Sequence, residues 1–204
     1  CAQVAREFNL IACFMSKPFM GVSANGCHTN VSLWKGGELK STPIGNNPLP
    51  GMDQVFTHIS GGENMFMPDP KIDQVKPGPV GLHSIAGLLK HLPALTCLGS
   101  PTVNSYRRLW DTGFWAPVYA DWGYQNRTCS VRVSAPGRVE YRSVDSSHNP
   151  YLMGAGILKA FEDGLDNKMD PGEPEKKNIY DAMKAGKEVD KLPLTLGEAI
   201  QRLD

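Results

Sequence analysis

Six arginines (Arg107, Arg108, Arg127, Arg132, Arg138 and Arg142) fall between Cys97 and Asn149, and Glu140 is the single glutamate among them. The guanidinium group is a planar fork of donors that matches carboxylate and phosphate oxygens two at a time. A chain of zero formal net charge has therefore concentrated its arginines in one stretch. That density implies a site for a multiply anionic ligand, such as a nucleotide together with a carboxylate substrate. Two other residues could hold a metal. His28 offers a neutral ring nitrogen, and Glu140 offers a carboxylate.

The elements expected around these residues set which of them can meet. The segment CHTNVSLW (27–34) alternates as a strand should, with His28, Asn30 and Ser32 on one face and Thr29, Val31 and Leu33 on the other. RVEYRSV (138–144) reads the same way. Arg138, Glu140 and Arg142 share one face, while Val139 and Tyr141 share the opposite one. Two readings of Glu140 stay open: a salt-bridged strand residue, or a metal carboxylate flanked by arginines that hold ligand anions. A magnesium site needs few protein ligands because substrate phosphates supply the rest. His28 is likewise either a metal ligand or an ordinary histidine. His58, His83, His91 and His148 fit no pattern and read as structural. Of Arg107 and Arg108, one can lie on the surface while the other clamps a carboxylate. Arg127 and Arg132 have opposite parity, so a straight strand would separate them. Arg127 sits at the strand entrance, however, where alternation need not hold.

Further elements follow from periodicity. CAQVAREFNL reads as the tail of a helix already under way, with no initiating Met, so the expectation is a piece of a longer chain. IACFM (11–15) reads as a short buried strand, and KPFMGVSANG (17–26) as a glycine-bearing loop. Residues 35–78 are rich in Gly, Pro and Asn, which suggests a long excursion with short hairpins. Apolar residues at 82, 85, 88, 89, 92, 95 and 98 predict a helix that Pro93 kinks or splits. PVYADWG (117–123) and TCSVRV (128–133) read as strands. Residues 149–168 predict a helix with Asn149 as N-cap and Pro150 in the first position. A charged linker is expected next, then a helix over 195–203 capped by Thr195, with Glu198 completing a capping box.

Composition narrows the function classes. With 41% hydrophobic and 21% charged residues, the chain has ordinary globular composition. Its balanced charge provides no overall field for nucleic acid or a membrane surface. No secretory leader is recognisable, and no apolar run is long enough to span a bilayer. The five dispersed cysteines lack CxxC spacing and read as reduced thiols, which suggests the cytoplasm.

Taken in order, KPF (17–19), NGCHTNVSLW, PTVNSYRRL, APVYADWGYQNR, RVEYR and NPYL (149–152) resemble the C-terminal part of the glutamine synthetase catalytic domain, and the resemblance covers nearly the whole chain. It implies an α/β (α+β) fold, a curved and mostly antiparallel sheet backed by helices, truncated at its N-terminus. Residues 1–204 would be the C-terminal portion of that domain, without the β-grasp domain and the first part of the catalytic domain. By resemblance, His28 and Glu140 correspond to metal ligands (Mg2+ or Mn2+) beside the transferred phosphate. Asn30 and Ser32 lie on the strand that contacts ATP. Arg108 and Arg142 correspond to the pair that grips L-glutamate. Arg127, the catalytic candidate, and Arg132 correspond to the arginines that hold the γ-phosphoryl group and the nucleotide phosphates, with Arg138 assisting. The Ser23–Gly26 loop corresponds to backbone that approaches glutamate, although Ser23 and Ala24 replace the Asn-Gly common there.

The implied chemistry is ATP-dependent phosphorylation of the glutamate γ-carboxylate, followed by attack of ammonia on the acyl phosphate. It needs anion positioning rather than a Ser or Cys nucleophile, and no such nucleophile is evident. The family is oligomeric, with active sites shared between subunits. Two departures stand out. GFWAPV puts Trp115 where most members carry a proton-accepting glutamate, with a one-residue insertion around Thr112. Trp115 cannot accept a proton but can line an apolar or cation–π pocket, so a γ-glutamylalkylamide synthetase using an organic amine is the alternative. The other departure is the lack of the upstream carboxylates that complete the family's metal sites. The chain alone is therefore expected to be inactive. A non-catalytic structural or regulatory relative is the reading from another class.

Overall fold

The computed structural model describes residues 1–43, 54–69, 75–110 and 115–203. Its elements in chain order are α1 (Ala2–Glu7), β1 (Thr29–Val31), β2 (Trp34–Lys35), β3 (Glu38–Pro43), β4 (Gln54–Ser60), β5 (Glu63–Asn64), α2 (Pro79–Gly99), α3 (Val103–Trp110), β6 (Trp122–Tyr124), β7 (Val131–Ala135), β8 (Arg138–Tyr141), α4 (Pro150–Asp166), α5 (Ile179–Lys184) and α6 (Leu196–Gln201). Four strands form the main sheet in the order β1-β8-β7-β6. The β1–β8 and β8–β7 pairs are antiparallel, and β6 joins β7 in parallel. This is the expected α/β layout with a mostly antiparallel sheet.

The alternation read from the sequence decides which face of the sheet is dry. Val131 and Val133 of β7 and Val139 and Tyr141 of β8 are buried to 1% exposure or less. They pack into one cluster with Ile85, Leu88 and Leu92 of α2 and with Met153, Ile157 and Phe161 of α4. Two long helices thus cover one face of the sheet, and the opposite face keeps the charged residues.

Helices α2 and α4 cross with almost no side chain between them. A Cβ built on Gly87 would lie 2.0 Å from the Ala160 carbonyl oxygen, and one on Gly164 would lie 2.1 Å from that of His83. Both positions require glycine for close approach. Pro93 does not divide α2, which runs continuously from Pro79 to Gly99. Packing of Leu92 and Leu95 on both sides of it outweighs the one lost backbone hydrogen bond. The α4 N-terminus forms as predicted, with the Asn149 side chain accepting from the Tyr151 and Leu152 amides and Pro150 following it.

Three expectations need correction. Residues 11–15 form no strand, and Ile11 is 96% exposed. Among the described residues no strand pairs with them, and the Phe14 and Met15 carbonyls accept instead from Asn25 Nδ2. The expected charged linker is a packed strap containing α5. The Trp122 carbonyl accepts from the Glu175 amide at 2.8 Å, Asn126 Nδ2 donates to the Lys177 carbonyl at 2.8 Å, and Lys187 pairs with Glu175. The capping box at α6 is displaced by one residue. Thr195 Oγ1 accepts from the Glu198 amide, but Glu198 Oε2 accepts from the Leu194 amide rather than from that of Thr195.

The long excursion contains the expected hairpin pairing: β3 pairs with β4, and β2 with β5. Its residues 44–53 and 70–74, and the insertion around Thr112, lie outside the described residues.

Candidate functional site

The polar face of the sheet is organised by register. Asn30 stands opposite Glu140, and Glu140 stands opposite Arg132. One row across β1, β8 and β7 therefore carries an amide, a carboxylate and a guanidinium. Such cross-strand neighbours lie within side-chain reach. Arg132 Nη1 donates to Glu140 Oε2 at 2.9 Å, and its Nη2 donates to Gln125 Oε1 at 2.6 Å. Arg142, two residues on from Glu140 and just past the end of β8, reaches Glu140 Oε1 from Nη1 at 3.3 Å.

His28 approaches the same oxygen, with its Nδ1 3.1 Å from Glu140 Oε1. Glu140 is thus surrounded by an imidazole and two guanidinium groups, and it is only 6% exposed. Burial raises its pKa, but the Arg132 hydrogen bond and the charges of Arg142, Arg132 and His28 outweigh that, so its pKa is lowered. Burial and the nearby Arg142 charge push His28 down to about 4. The imidazole is therefore neutral at physiological pH, the form that can ligate a metal.

The distance also fits a shared cation. Two donors on adjacent corners of an octahedron with bonds near 2.1 Å lie about 3.0 Å apart. Among the described residues there is no third His, Cys, Asp or Glu to complete a metal site. A cation here would draw its remaining ligands from a phosphorylated substrate or from other protein. Both ion pairs of the salt-bridge reading of Glu140 are formed, to Arg132 and to Arg142.

Arg142 also ties the surrounding loops together. Its Nη2 donates to the Arg127 carbonyl at 2.9 Å and to the Trp115 carbonyl at 3.3 Å. This contact, and not strand parity, brings the Arg127 turn to the site. The Arg127 side chain itself is exposed. With Trp115, Tyr124, Lys176 and Lys177 it lines a cleft of about 370 Å³. Trp115 has a backbone φ of 63°, a left-handed conformation uncommon for a bulky residue, and is 54% exposed. Arg138 is exposed at the far end of β8, where its Nε donates to Ser134 Oγ at 3.1 Å.

Arg108 comes from α3 and is 3% exposed, whereas Arg107 is half-buried. Arg108 Nη2 donates to the Arg142 carbonyl at 3.1 Å. A Cβ on Gly26 would lie 3.1 Å from His28 Nε2 and 3.3 Å from Arg108 Nη2. Glycine at 26 therefore lets the loop backbone pass close to both side chains. Ser23 is exposed and Ala24 half-buried in the same loop. Asn30 is exposed on its strand, and Ser32 Oγ accepts from Trp34 Nε1 at 2.9 Å.

Several residues that hold the site were not singled out from sequence. Asn104 Oδ1 accepts from the Lys17 amide at 2.8 Å, and its Nδ2 donates to the Lys17 carbonyl at 2.9 Å. Asn104 and Arg108 are one helical turn apart on α3, so one face of that helix grips the loop base and reaches the loop's Gly26. The i, i+4 spacing was the available signal. Gln125 and Asp145 gave none.

His83, His91 and His148 are held by Met169 O, Asp163 Oδ2 and Asp145 O respectively, as structural histidines would be.

The layered fold and this face, with a carboxylate ringed by an imidazole and two guanidinium groups, define an α/β protein with a buried charged cluster on one side of its sheet. Comparison with known proteins makes the class specific. Residues 1–62 and 54–204 match the family described as glutamine synthetase, catalytic domain. The glutamine synthetase of Pyrococcus furiosus is 38% identical over 208 residues, covering 98% of this chain and 40% of the relative. That of Archaeoglobus fulgidus is 40% identical over 209 residues, covering 98% and 38%. Among solved structures, ligand-free GmaS superposes with a TM-score of 0.77 at 34% identity, over 99% of this chain and 40% of that one. A GmaS/ADP complex gives 0.79 at 34% identity, over 99% and 42%.

The chain belongs to the glutamine synthetase catalytic-domain family. It spans about 40% of the length of the relatives it matches.

Proposed function

We propose that this chain is the C-terminal part of the catalytic domain of an ATP-dependent ligase that joins ammonia to the γ-carboxylate of L-glutamate through γ-glutamyl phosphate. The observation that carries this reading is the 3.1 Å approach of His28 Nδ1 to Glu140 Oε1 inside a cluster of guanidinium groups. His28 and Glu140 would hold Mg2+ or Mn2+, and that ion would offset charge on the transferring phosphate. Arg132 and Arg127 would hold nucleotide and γ-phosphoryl oxygens, with Arg138 at the rim. Asn30 and Ser32 would face the nucleotide. Arg108 and Arg142 would orient glutamate against the Ser23–Gly26 backbone. In the cluster, Arg132 already trades one guanidinium edge between Glu140 and Gln125, so an incoming phosphate would replace existing partners rather than meet a bare cation. The whole protein would be a cytoplasmic homo-oligomer with sites shared between subunits.

A second reading is favoured by a specific residue. Trp115 stands at the cleft beside Arg127 without a carboxylate of its own, and the solved structures this chain resembles include those of GmaS, one of them in complex with ADP. In that reading the amine is methylamine or another alkylamine, accommodated against the indole.

The two readings separate in one assay. The complete enzyme is supplied with ATP, glutamate and either ammonium or methylamine, and ADP release and the amide product are measured. Faster turnover with ammonium supports the first reading. A clear preference for methylamine transfers the assignment to the second. Absence of glutamate-dependent ADP release with either amine removes both and favours a non-catalytic relative.

A further inference from the structure

Asp145, Tyr106 and Tyr141 are buried polar residues to which the proposed chemistry gives no role. Asp145 is fully buried, and Arg108 is 3% exposed. Asp145 Oδ1 accepts from the Ser147 amide at 2.7 Å, and the Asp145 amide donates to the Gly99 carbonyl at 2.9 Å at the end of α2. Its Oδ2 is buried and has no hydrogen-bond partner among the described residues. The same is true of Arg108 Nη1, Tyr106 Oη and Tyr141 Oη. Buried polar atoms in folded proteins are rarely left unpaired, and a group of them normally shares a partner such as an ordered water.

The four groups belong together electrostatically. Burial moves Arg108 down to about 10, and the Asp145 charge is the strongest influence restoring it, with Tyr141 also contributing. Tyr106 feels Asp145, and Tyr141 feels both Arg108 and Tyr106. A guanidinium this deeply buried needs a compensating anion, and among the described residues no carboxylate pairs directly with Arg108. Its Nη2 is committed to the Arg142 carbonyl beside Gly26 and His28. The Nη1 edge is the one left for a carboxylate behind it.

We infer that Asp145 is the positioning residue of Arg108, acting as its buried counter-ion through a shared network with the Tyr106 and Tyr141 hydroxyls and so orienting the guanidinium for a carboxylate substrate. This rests on the reading of Arg108 as a glutamate-binding residue. Three elements meet in the network. Arg108 and Tyr106 come from α3, Tyr141 from β8, and Asp145 from the turn before α4. The Gly99 contact fixes that turn, because a Cβ on Gly99 would come within 2.6 Å of the Ser143 carbonyl oxygen.

The test is steady-state kinetics of the complete enzyme with Asp145→Asn, which keeps the Oδ1 acceptor and removes the charge. The KM for glutamate is expected to rise about tenfold or more, the loss of one charge-assisted interaction, while the KM for ATP stays within about twofold. Tyr141→Phe and Tyr106→Phe should shift the glutamate KM in the same direction by a smaller factor, and they carry the test if Asp145→Asn does not fold. Equal shifts in both KM values would reduce Asp145 to a general structural residue. An unchanged glutamate KM in the folded variants would overturn the inference. Failure of the parent reading is visible separately, as absence of glutamate-dependent turnover in the unmodified enzyme.

Discussion

Glu140 concentrates the electrostatics of this protein in one side chain. Its two oxygens neutralise Arg132 and Arg142, whose side chains are 16% and 4% exposed. Removing the carboxylate leaves both guanidinium groups desolvated and facing each other. Glu140→Ala should therefore cost about 3 kcal/mol of stability, in the range for breaking a buried ion pair from one side. Urea unfolding checks this through the transition midpoint. Glu140→Gln, which still accepts hydrogen bonds, should cost less.

Two other residues make stability depend on pH in opposite senses. His28 falls from 6.5 to about 4 on folding, so its neutral form is favoured and stability is lost as pH drops from 6.5 through 4. Asp121 is raised by burial from 3.8 to about 6, against the hydrogen bond it accepts from the Ser130 amide. Its contribution is present below 3.8 and is lost as pH rises through 6. The two slopes oppose each other between about 4 and 6, so the unmodified chain should show a shallow profile there. Asp121→Asn should remove one slope and expose the other as a steeper loss of stability on acidification. Melting temperatures at pH 4.5, 5.5 and 6.5 read this directly, and an unchanged profile would count against both assignments.

At the scale of elements, the contact between α2 and α4 sets the platform on which the sheet rests. It depends on Gly87 and Gly164, whose missing side chains let the two backbones touch. Gly87→Ala would drive a methyl group to 2.0 Å from the Ala160 carbonyl, so the helices must separate. The expected loss is about 3 kcal/mol, at the upper end of overpacking effects. A chemical denaturation curve measures it, and a loss below about 0.5 kcal/mol would mean that the helices re-seat freely. The apolar period of α2 was legible because one face of a 21-residue helix must be dry. The glycine contact was not legible, since it depends on where the partner helix passes. The same holds for the strap over 169–194, which contains α5. Its composition is that of a solvated linker, yet Trp122 and Asn126 capture its backbone. Residues 11–15 show the converse, an apolar run left exposed, with no strand among the described residues paired to it.

At the scale of the whole molecule, the described residues supply two donors for a cation and no third. The 204 residues alone are thus expected to release no ADP in the presence of glutamate, ATP and magnesium, even though Arg132 and Arg142 are already gathered on Glu140. Measurable glutamate-dependent ADP release by the purified chain would overturn this. The same chain spans only about 40% of its relatives, and complementing it with the remaining family sequence should restore turnover if the site is completed from outside.

The β8 strand with Arg138 and Glu140 on one face, the capped start of α4 and the family itself were determined by the sequence, because alternation, caps and ordered motifs are local properties that survive in one dimension; the strands expected over 11–15 and 117–121 were not. The tertiary structure decided which residues meet. His28 lies 112 residues from Glu140 in the chain, and only the β1–β8 register brings them within 3.1 Å. The Arg127 turn is held at the site by a hydrogen bond from Arg142, and Arg108 of α3 reaches the Arg142 carbonyl just past the end of β8. Contacts of this kind arise from strand pairing and helix packing across long separations, and no local pattern of side chains encodes them.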